Sequence, residues 1–451
     1  MRSFSVKAIA YACSPSALHP FLKRIEASDI GLRMARGMFW SMAGAVISRA
    51  LMLLATILVA RILGKTGYGE LGMIQSTVGM FGVFAGFGLG LTATKYVAEL
   101  RESDPRRLGR ILSMSTLVAC YTGGLMALAL LLFAPWLAEY TINAPHLVSQ
   151  LRISAVVLFL SAVNGAQTGA LSGFESFKVI AKINLFVGII SFFFLFFGTL
   201  YGGLNGAIWA LALNLLCNLI LNHIALRRER IRHNVPIIFS GCFKEWSVLW
   251  SFSLPAALSS MMFGPVKWVC VALLVNQPGG YEEMGIFNVA NQWVTAILFL
   301  PGLLARVVLP LLSSLNNQFT HQNYIKTFKY NIYLNGIIAS CIVVPVVIFA
   351  PLIMLSYGQE FHDGIYLLRI MSISAILVSI NSVVGSALAS KSKMWIGFLF
   401  NGMWSFLLVG FSMLFLKIGY GAIALAFATL IAYLAHTCWQ FFYLKKLNKF
   451  I

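Results

Sequence analysis

Five basic residues, Arg49, Arg152, Lys267, Arg306 and Arg369, fall inside or at the edges of long apolar stretches of this 451-residue sequence. A charge inside a bilayer-spanning helix costs about 2.5–3.5 kcal/mol on insertion scales, so it normally faces a cavity or a partner. No carboxylate stands at comparable depth. Glu70 and Glu175 sit at the ends of apolar runs, and Glu282, Glu283, Glu360 and Asp363 fall in connecting loops. Uncompensated cations in apolar surroundings are suited to binding anions through charge-assisted hydrogen bonds. Arg49 is in mid-run, and Lys267 follows a Gly264–Pro265 break of the kind found where discontinuous helices line a substrate site. These two favour a functional reading. Arg152, at the start of a run, reads as a side chain that snorkels to the interface, and Arg369 fits either role. Arg306, between Pro301–Gly302 and Pro310, fits gating, anion contact and snorkelling alike.

Uncharged polar residues give a second pattern. Asn214, Asn218 and Asn222 recur every fourth residue and share a helix face. Asn164, Gln167 and Thr168 cluster in another run, as do Asn288, Asn291 and Gln292, and Asn331 with Asn335. Any one of these amides reads as a tie between helices, worth about 0.6 kcal/mol on average. Together with the cations they suit a wet central cavity for hydroxyl-rich, phosphate-bearing ligands. The expected cationic contacts are Arg49, Lys267, Arg306 and Arg369, and the expected polar lining is Asn164, Gln167, Asn214, Asn218, Asn288 and Asn291. Gly82, Gly86 and Gly90 read as a close helix-packing stripe. His223 and His436 read as helix-contact or interfacial residues. Seven scattered cysteines include no CxxC pair, and no nucleophile–base constellation, phosphate-cradling loop or metal cluster is present, so no cofactor, metal or enzymatic activity is expected.

The elements that must position these residues are bilayer-spanning helices. With 59% hydrophobic and 10% charged residues, the chain departs from the usual soluble composition of roughly 45–50% and 25%. About twelve runs approach the roughly 20 apolar residues that a span needs. They are Met38–Ala60, Leu71–Ala93, Ile111–Phe133, Ile153–Ser172, Ile183–Tyr201, Gly206–Leu226, Trp246–Val275, Met284–Pro310, Asn331–Met354, Ile365–Ala389, Trp395–Leu416 and Ala422–Tyr443. The formal charge of +19 raises the question of nucleic acid, but no basic stripe with interleaved aromatics lies outside the apolar runs. Topology accounts for it instead. Alternate loops and the termini hold 25 of the 33 Lys and Arg, and the opposite loops hold only Arg61, Lys65 and Lys417. By the positive-inside rule both termini are cytoplasmic. The expected organisation is a cytoplasmic extension (1–37), a six-helix lobe (38–226), a basic cytoplasmic linker (227–245), a second six-helix lobe (246–443) and a cytoplasmic tail (444–451). The fold class is thus an all-α polytopic membrane protein with two six-helix lobes around a central cavity.

Local matches between the halves support an internal repeat. Gly67-Tyr68-Gly69-Glu70-Leu71-Gly72 after the first run corresponds to Gly280-Tyr281-Glu282-Glu283-Met284-Gly285 after the seventh. Lys95 and Arg306 follow Gly-containing turns in both halves, and Ser176-Phe177-Lys178 matches Ser390-Lys391-Ser392-Lys393. Because each half holds an even number of spans, the halves are parallel about an axis along the membrane normal.

Gly37-Met38-Phe39-Trp40, Ser48-Arg49 and the segment from Ala60-Arg61-Ile62-Leu63-Gly64 through Lys65-Thr66-Gly67-Tyr68-Gly69 resemble the first hairpin of bacterial polysaccharide transporters, the O-antigen-type flippases. Phe87-Gly88-Leu89, Lys95-Tyr96-Val97-Ala98, Ser253-Leu254-Pro255 and Leu309-Pro310 are similar to further positions of that family. Where the family often has proline after the Leu-Gly pair, this chain has Lys65. The resemblance implies membership in the multidrug, oligosaccharidyl-lipid and polysaccharide exporter superfamily, with two lobes around a V-shaped cavity. It also implies flipping of a polyprenyl-diphosphate-linked oligosaccharide from the cytoplasmic to the periplasmic leaflet of the inner membrane. A polysaccharide polymerase and chain-length machinery are the implied partners, and a monomer without nucleic acid is expected. A multidrug antiporter wants an intramembrane acid, which this chain lacks at depth; a glycan polymerase or glycosyltransferase usually brings acidic catalytic residues and a substantial exterior loop; a channel fits the kinked hairpins less well.

Overall fold

A computed structural model of the chain describes residues 29–253, 262–302, 321–390 and 394–447. Arg306, Leu254–Pro255, Leu309–Pro310, the Lys391–Lys393 turn and most of the N-terminal extension lie outside the described residues. The described residues contain helices and no strands. In lipid the backbone must satisfy its own hydrogen bonds, and a helix does so within one segment.

We number the helices α1 (Asp29–Gly86), α2 (Leu89–Leu100), α3 (Pro105–Trp136), α4 (Val148–Gly173), α5 (Phe177–Arg232), α6 (Phe263–Val275), α7 (Gly280–Ile297), α8 (His321–Ile348), α9 (Ala350–Tyr357), α10 (Ile365–Ser390), α11 (Met394–Lys417) and α12 (Ala422–Leu447). Among the described residues, eight stretches are long and apolar enough to cross a membrane, and α6 is a shorter apolar helix. Two of the eight contain two spans each. A straight helix of α1's 58 residues would be about 87 Å long, nearly three times the thickness of a hydrocarbon core. It breaks at Gly64, with φ 67° and ψ −179°. Along α7, Arg49 lies at Gln292, Lys65 at Gly285 and Gly72 at Asn288, so the chain rises to Gly64 and returns. The 56-residue α5 reverses at Gly203, φ 53°, and a Cβ on Gly206 would collide with the Gly198 carbonyl. In a straight helix those residues would be about 12 Å apart. All twelve expected runs therefore contain helix.

Several expected runs are not single helices: Asn331–Met354 is interrupted at Phe349, between α8 and α9, and Met284–Pro310 at Leu298, where α7 ends. Leu71–Ala93 breaks between α1 and α2, where Phe87 (φ 41°) and Gly88 (φ 66°) adopt left-handed backbone. Glycine takes this geometry without the Cβ clash that other residues suffer. The glycine stripe is used unevenly. Gly90 packs on Gly165 and Gly169 of α4, whereas a Cβ on Gly86 would meet nothing within 4 Å.

Polar contacts mark the two ends of the bundle. At the basic end, Asp104 caps α3 through Arg107 N, with Pro105 at the first helical position. Beyond Arg232 the connection folds onto α3: Ile238 N donates to Ser113 Oγ, and the largely buried Glu245 carboxylate accepts from Arg107 Nε and Arg110 Nη2, both at 3.1 Å. At the opposite, distal end the first hairpin presses on α7. A Cβ on Gly69 would lie 2.9 Å from Gly285 N, one on Gly72 2.8 Å from Asn288 Nδ2, and one on Gly285 would strike the Lys65 carbonyl. Small residues let backbones approach where lipid offers no hydrophobic drive for helix association.

Gly285→Val is therefore expected to destabilise the protein by at least about 1–3 kcal/mol through overpacking, while Gly124→Ala, which meets nothing within 4 Å, is neutral. Thermal unfolding of the two variants in detergent checks this, with a lowered midpoint for the first only.

Candidate functional site

Pro265 occupies the first turn of α6, where its missing N–H costs no helical bond, so the predicted Gly264–Pro265 break is where this helix begins. A Cβ on Gly264 would come within 2.7 Å of Val83 Cγ2, and this bare glycine lets α6 lie against α1. Trp268 Nε1 donates to Thr77 Oγ1 at 3.0 Å across the same contact. Lys267 is thereby turned into a chamber of about 260 Å³ between α6, α7, α10, α11 and α12, closed on one side by Gly72, Gln75 and Ser76 of α1.

Lys267 retains accessible surface, and it lines this chamber. None of the described lining residues is acidic. Asn288, Asn291 and Gln292 of α7 contribute amides, Ser374 and Thr429 hydroxyls, and Phe287, Trp404 and Tyr433 rings. Asn288 Nδ2 also donates to the Tyr68 carbonyl at 3.4 Å, tying the chamber wall to the first hairpin. Trp404 is almost fully buried between Phe263 and Tyr433, with ring centroids at 5.2 and 5.3 Å, and its Nε1 has no hydrogen-bond partner. The arrangement offers one ammonium, several neutral donors and acceptors, and apolar walls. It suits an anionic, hydroxyl-bearing ligand.

The remaining predicted residues are placed as follows. Arg49 Nη2 donates to the Gln292 carbonyl at 3.4 Å, and its Nε is buried without a partner. It borders the chamber through α7 without lining it. Nearby, Trp293 Nε1 donates to Tyr357 Oη at 3.2 Å. Arg369 does not line the chamber: its Nε donates to Val347 O at 3.2 Å and its guanidinium lies 5.9 Å from the Tyr366 ring centroid. Arg152 is exposed near the start of α4. Of the amides, Asn288 and Asn291 line the chamber, while Asn164, Gln167, Asn214 and Asn218 lie apart from it. Asn222 Nδ2 donates to Asn164 Oδ1 and Asn218 Oδ1, both at 2.7 Å, and Asn214 Nδ2 donates to Ser191 Oγ at 3.0 Å. These bonds tie α4 to α5 and the two arms of α5 to each other. His436 is buried and pairs with Gln440 at 3.0 Å on its own helix.

Gln75, Ser76, Ser374, Thr429, Trp404 and Tyr433 were not singled out by sequence. Gln75-Ser76 is a polar pair within an apolar run, a signal that could have been read. A tryptophan in an apolar helix gives none.

Outside the spans, burial pushes the Tyr281 phenol up, with the Glu70 carboxylate adding to the effect. The group stays protonated at neutral pH and donates to the Ile142 carbonyl at 2.8 Å.

A family described as "Polysaccharide biosynthesis protein" matches residues 34–316. The "EPS I polysaccharide export inner membrane protein EpsE" of Ralstonia nicotianae is 24% identical over 425 residues, covering 93% of this chain and 92% of its own. Among solved structures, an inward-facing multidrug resistance MATE family transporter of the MOP superfamily superposes with a TM-score of 0.77 at 16% identity, covering 91% of this chain and 99% of that one. An outward-facing transporter of the same description gives 0.68 at 14% identity, covering 91% and 96%. At these identities the likeness is one of fold.

The two classes of amide separate by experiment. Asn222→Ala strands the Asn164 carbonyl oxygen and should lower stability by about 1–2 kcal/mol, whereas Asn291→Ala, at the chamber wall, should leave it within about 0.5 kcal/mol. Paired thermal unfolding curves in detergent measure the difference.

Proposed function

The chain belongs to the polysaccharide biosynthesis protein family, and from that premise we propose that it flips a polyprenyl-diphosphate-linked oligosaccharide across the bacterial inner membrane by alternating access. The observation that carries this reading is Lys267, an ammonium lining a chamber with no acidic residue among its described lining residues. A lipid diphosphate loses hydration on leaving the aqueous surface, and the ammonium replaces part of it with charge-assisted hydrogen bonds. Asn288, Asn291 and Gln292 meet sugar hydroxyls. Arg49, with donors to spare beside Gln292, receives the diphosphate as it enters or leaves.

In this reading the basic end faces the cytoplasm and the distal end the periplasm, consistent with the distribution of Lys and Arg between loops. The lobes 38–226 and 246–443 rock against each other, with 227–245 as the linker. Moving negative charge outward is favoured in a cell whose interior is negative, by about 2.3 kcal/mol per charge per 100 mV. No titrating acid in the chamber is required. Export of cationic drugs, the alternative within this fold, conflicts with a chamber whose charged lining residue is a lysine.

Lys267→Met is expected to insert at wild-type levels and to reduce surface glycan more than tenfold, with Lys267→Arg retaining more export than Lys267→Met. Quantifying membrane-inserted protein and surface glycan in the same cells checks this. Normal glycan in Lys267→Met would remove the proposed role of the ammonium.

A further inference from the structure

At the distal end the charged groups of the first hairpin meet the end of α9, the first turn of α7 and the loop before α10. Arg61 Nε donates to the Ser356 carbonyl at 2.6 Å, across 295 residues of sequence. Lys65 N donates to Glu360 Oε2 at 3.3 Å. Its ammonium lies 3.8 Å from Glu282 Oε2 and 4.0 Å from Asp363 Oδ2. The Lys65 side chain is only 14% exposed, against 58% and 81% for the two acids. One lysine is thus enclosed by carboxylates from the first turn of α7 and from the loop before α10. Its three polar contacts use groups that proline does not have, a backbone N–H and a side-chain charge. Proline is what the resembling transporters often carry at this position.

We propose that Lys65 is the pin of an ionic latch that holds the distal mouth of the chamber shut. The mouth opens when the first hairpin parts from the start of α7, which carries Glu282, and from the loop carrying Glu360 and Asp363. Below the latch, Gly69, Gly72 and Gly285 let the two surfaces approach closely, and Tyr68, buried with its ring 6.3 Å from that of Phe361, is withdrawn when they part. A partly exposed latch is also sensitive to the surrounding solution. The Debye length falls from about 8 Å at physiological ionic strength to about 3 Å at 1 M, so salt on the distal side weakens the attraction. The neighbouring contacts of the distal end, His146 Nε2 with Glu70 at 2.7 Å and Asn276 Nδ2 with the Thr141 carbonyl at 2.7 Å, link segments adjoining the first hairpin and α6 to the loop after α3. They leave the Lys65 cluster as the charged seam between the first hairpin and the second half.

The latch rests on alternating access as proposed above, but its test needs no glycan, so it fails or succeeds independently of the cargo. Ser76, in the chamber wall, is replaced by cysteine in the full chain with its seven native cysteines changed to serine. In sealed, oriented vesicles a membrane-impermeant maleimide is applied from the distal side. Slow labelling is expected with Lys65 present, about tenfold faster labelling in Lys65→Glu, and a return to the slow rate in Lys65→Glu combined with Glu282→Lys. Unchanged labelling in Lys65→Glu overturns the latch. Fast labelling that the charge swap fails to slow overturns it too, because the effect would then follow damage to the fold and not the sign of the charge.

Discussion

Lys267 is a cation lining a chamber of the helical bundle with no acid among its described lining residues, and much of the surrounding architecture serves to make that tolerable. On insertion scales a lysine at the centre of a span costs about 2.5–3.5 kcal/mol. Here the cost is reduced by a polar chamber lined with the amides of Asn288, Asn291 and Gln292. The helix carrying Lys267 starts just before it, at Phe263 with Pro265 in its first turn, and Gly264 brings that helix against α1. Replacing the chamber by packed apolar side chains would leave the ammonium with nowhere to go. An anion entering the chamber has the opposite effect.

The chamber makes the halves unequal. In the first half, the amides of α4 and α5 bond to one another and to Ser191, which spends their hydrogen-bonding capacity on holding helices together. In the second half, α7 presents Asn291 and Gln292 to the chamber, while its Asn288 meets both the chamber and the first hairpin, which also touches α7 through Arg49, Gly69 and Gly72. One helix therefore forms both the chamber wall and the surface on which the first half rests. Any movement that parts the first hairpin from α7 also displaces the chamber wall. The same helix begins beside Glu282, at the charged seam of the distal end.

Much of this was legible in the sequence. Twelve apolar runs gave the spans because length and composition decide what can cross a bilayer, and the absence of deep carboxylates pointed to five uncompensated cations, Arg49 and Lys267 foremost. What was not legible depended on contacts between distant segments. The break at Phe87–Gly88 sits in an apolar run with no proline, so only the left-handed backbone shows it. Asn218 and Asn291 have the same chemistry, and partner geometry alone makes one a tie and the other a wall. Arg369 looked like a cavity residue by position, yet it turns to the Val347 carbonyl because that face of α10 packs on α8. Trp404 was silent because aromatic residues are common in membrane helices, whatever they face. Lys65 stood out as a departure from a family pattern, and only the approach of Glu282, Glu360 and Asp363 gave it a physical role.

The central claim is that the chamber around Lys267 receives the glycan-diphosphate end of the substrate. The most direct measurement is photocrosslinking in reconstituted membranes, using a polyprenyl-diphosphate-linked disaccharide with a diazirine on its first sugar and mapping adducts by mass spectrometry. The account predicts adducts on α7 and α10 at the chamber wall, including Asn291 or Gln292, which disappear in Lys267→Met while the protein remains folded. Adducts confined to lipid-facing helix surfaces, or chamber adducts undiminished in Lys267→Met, would contradict it.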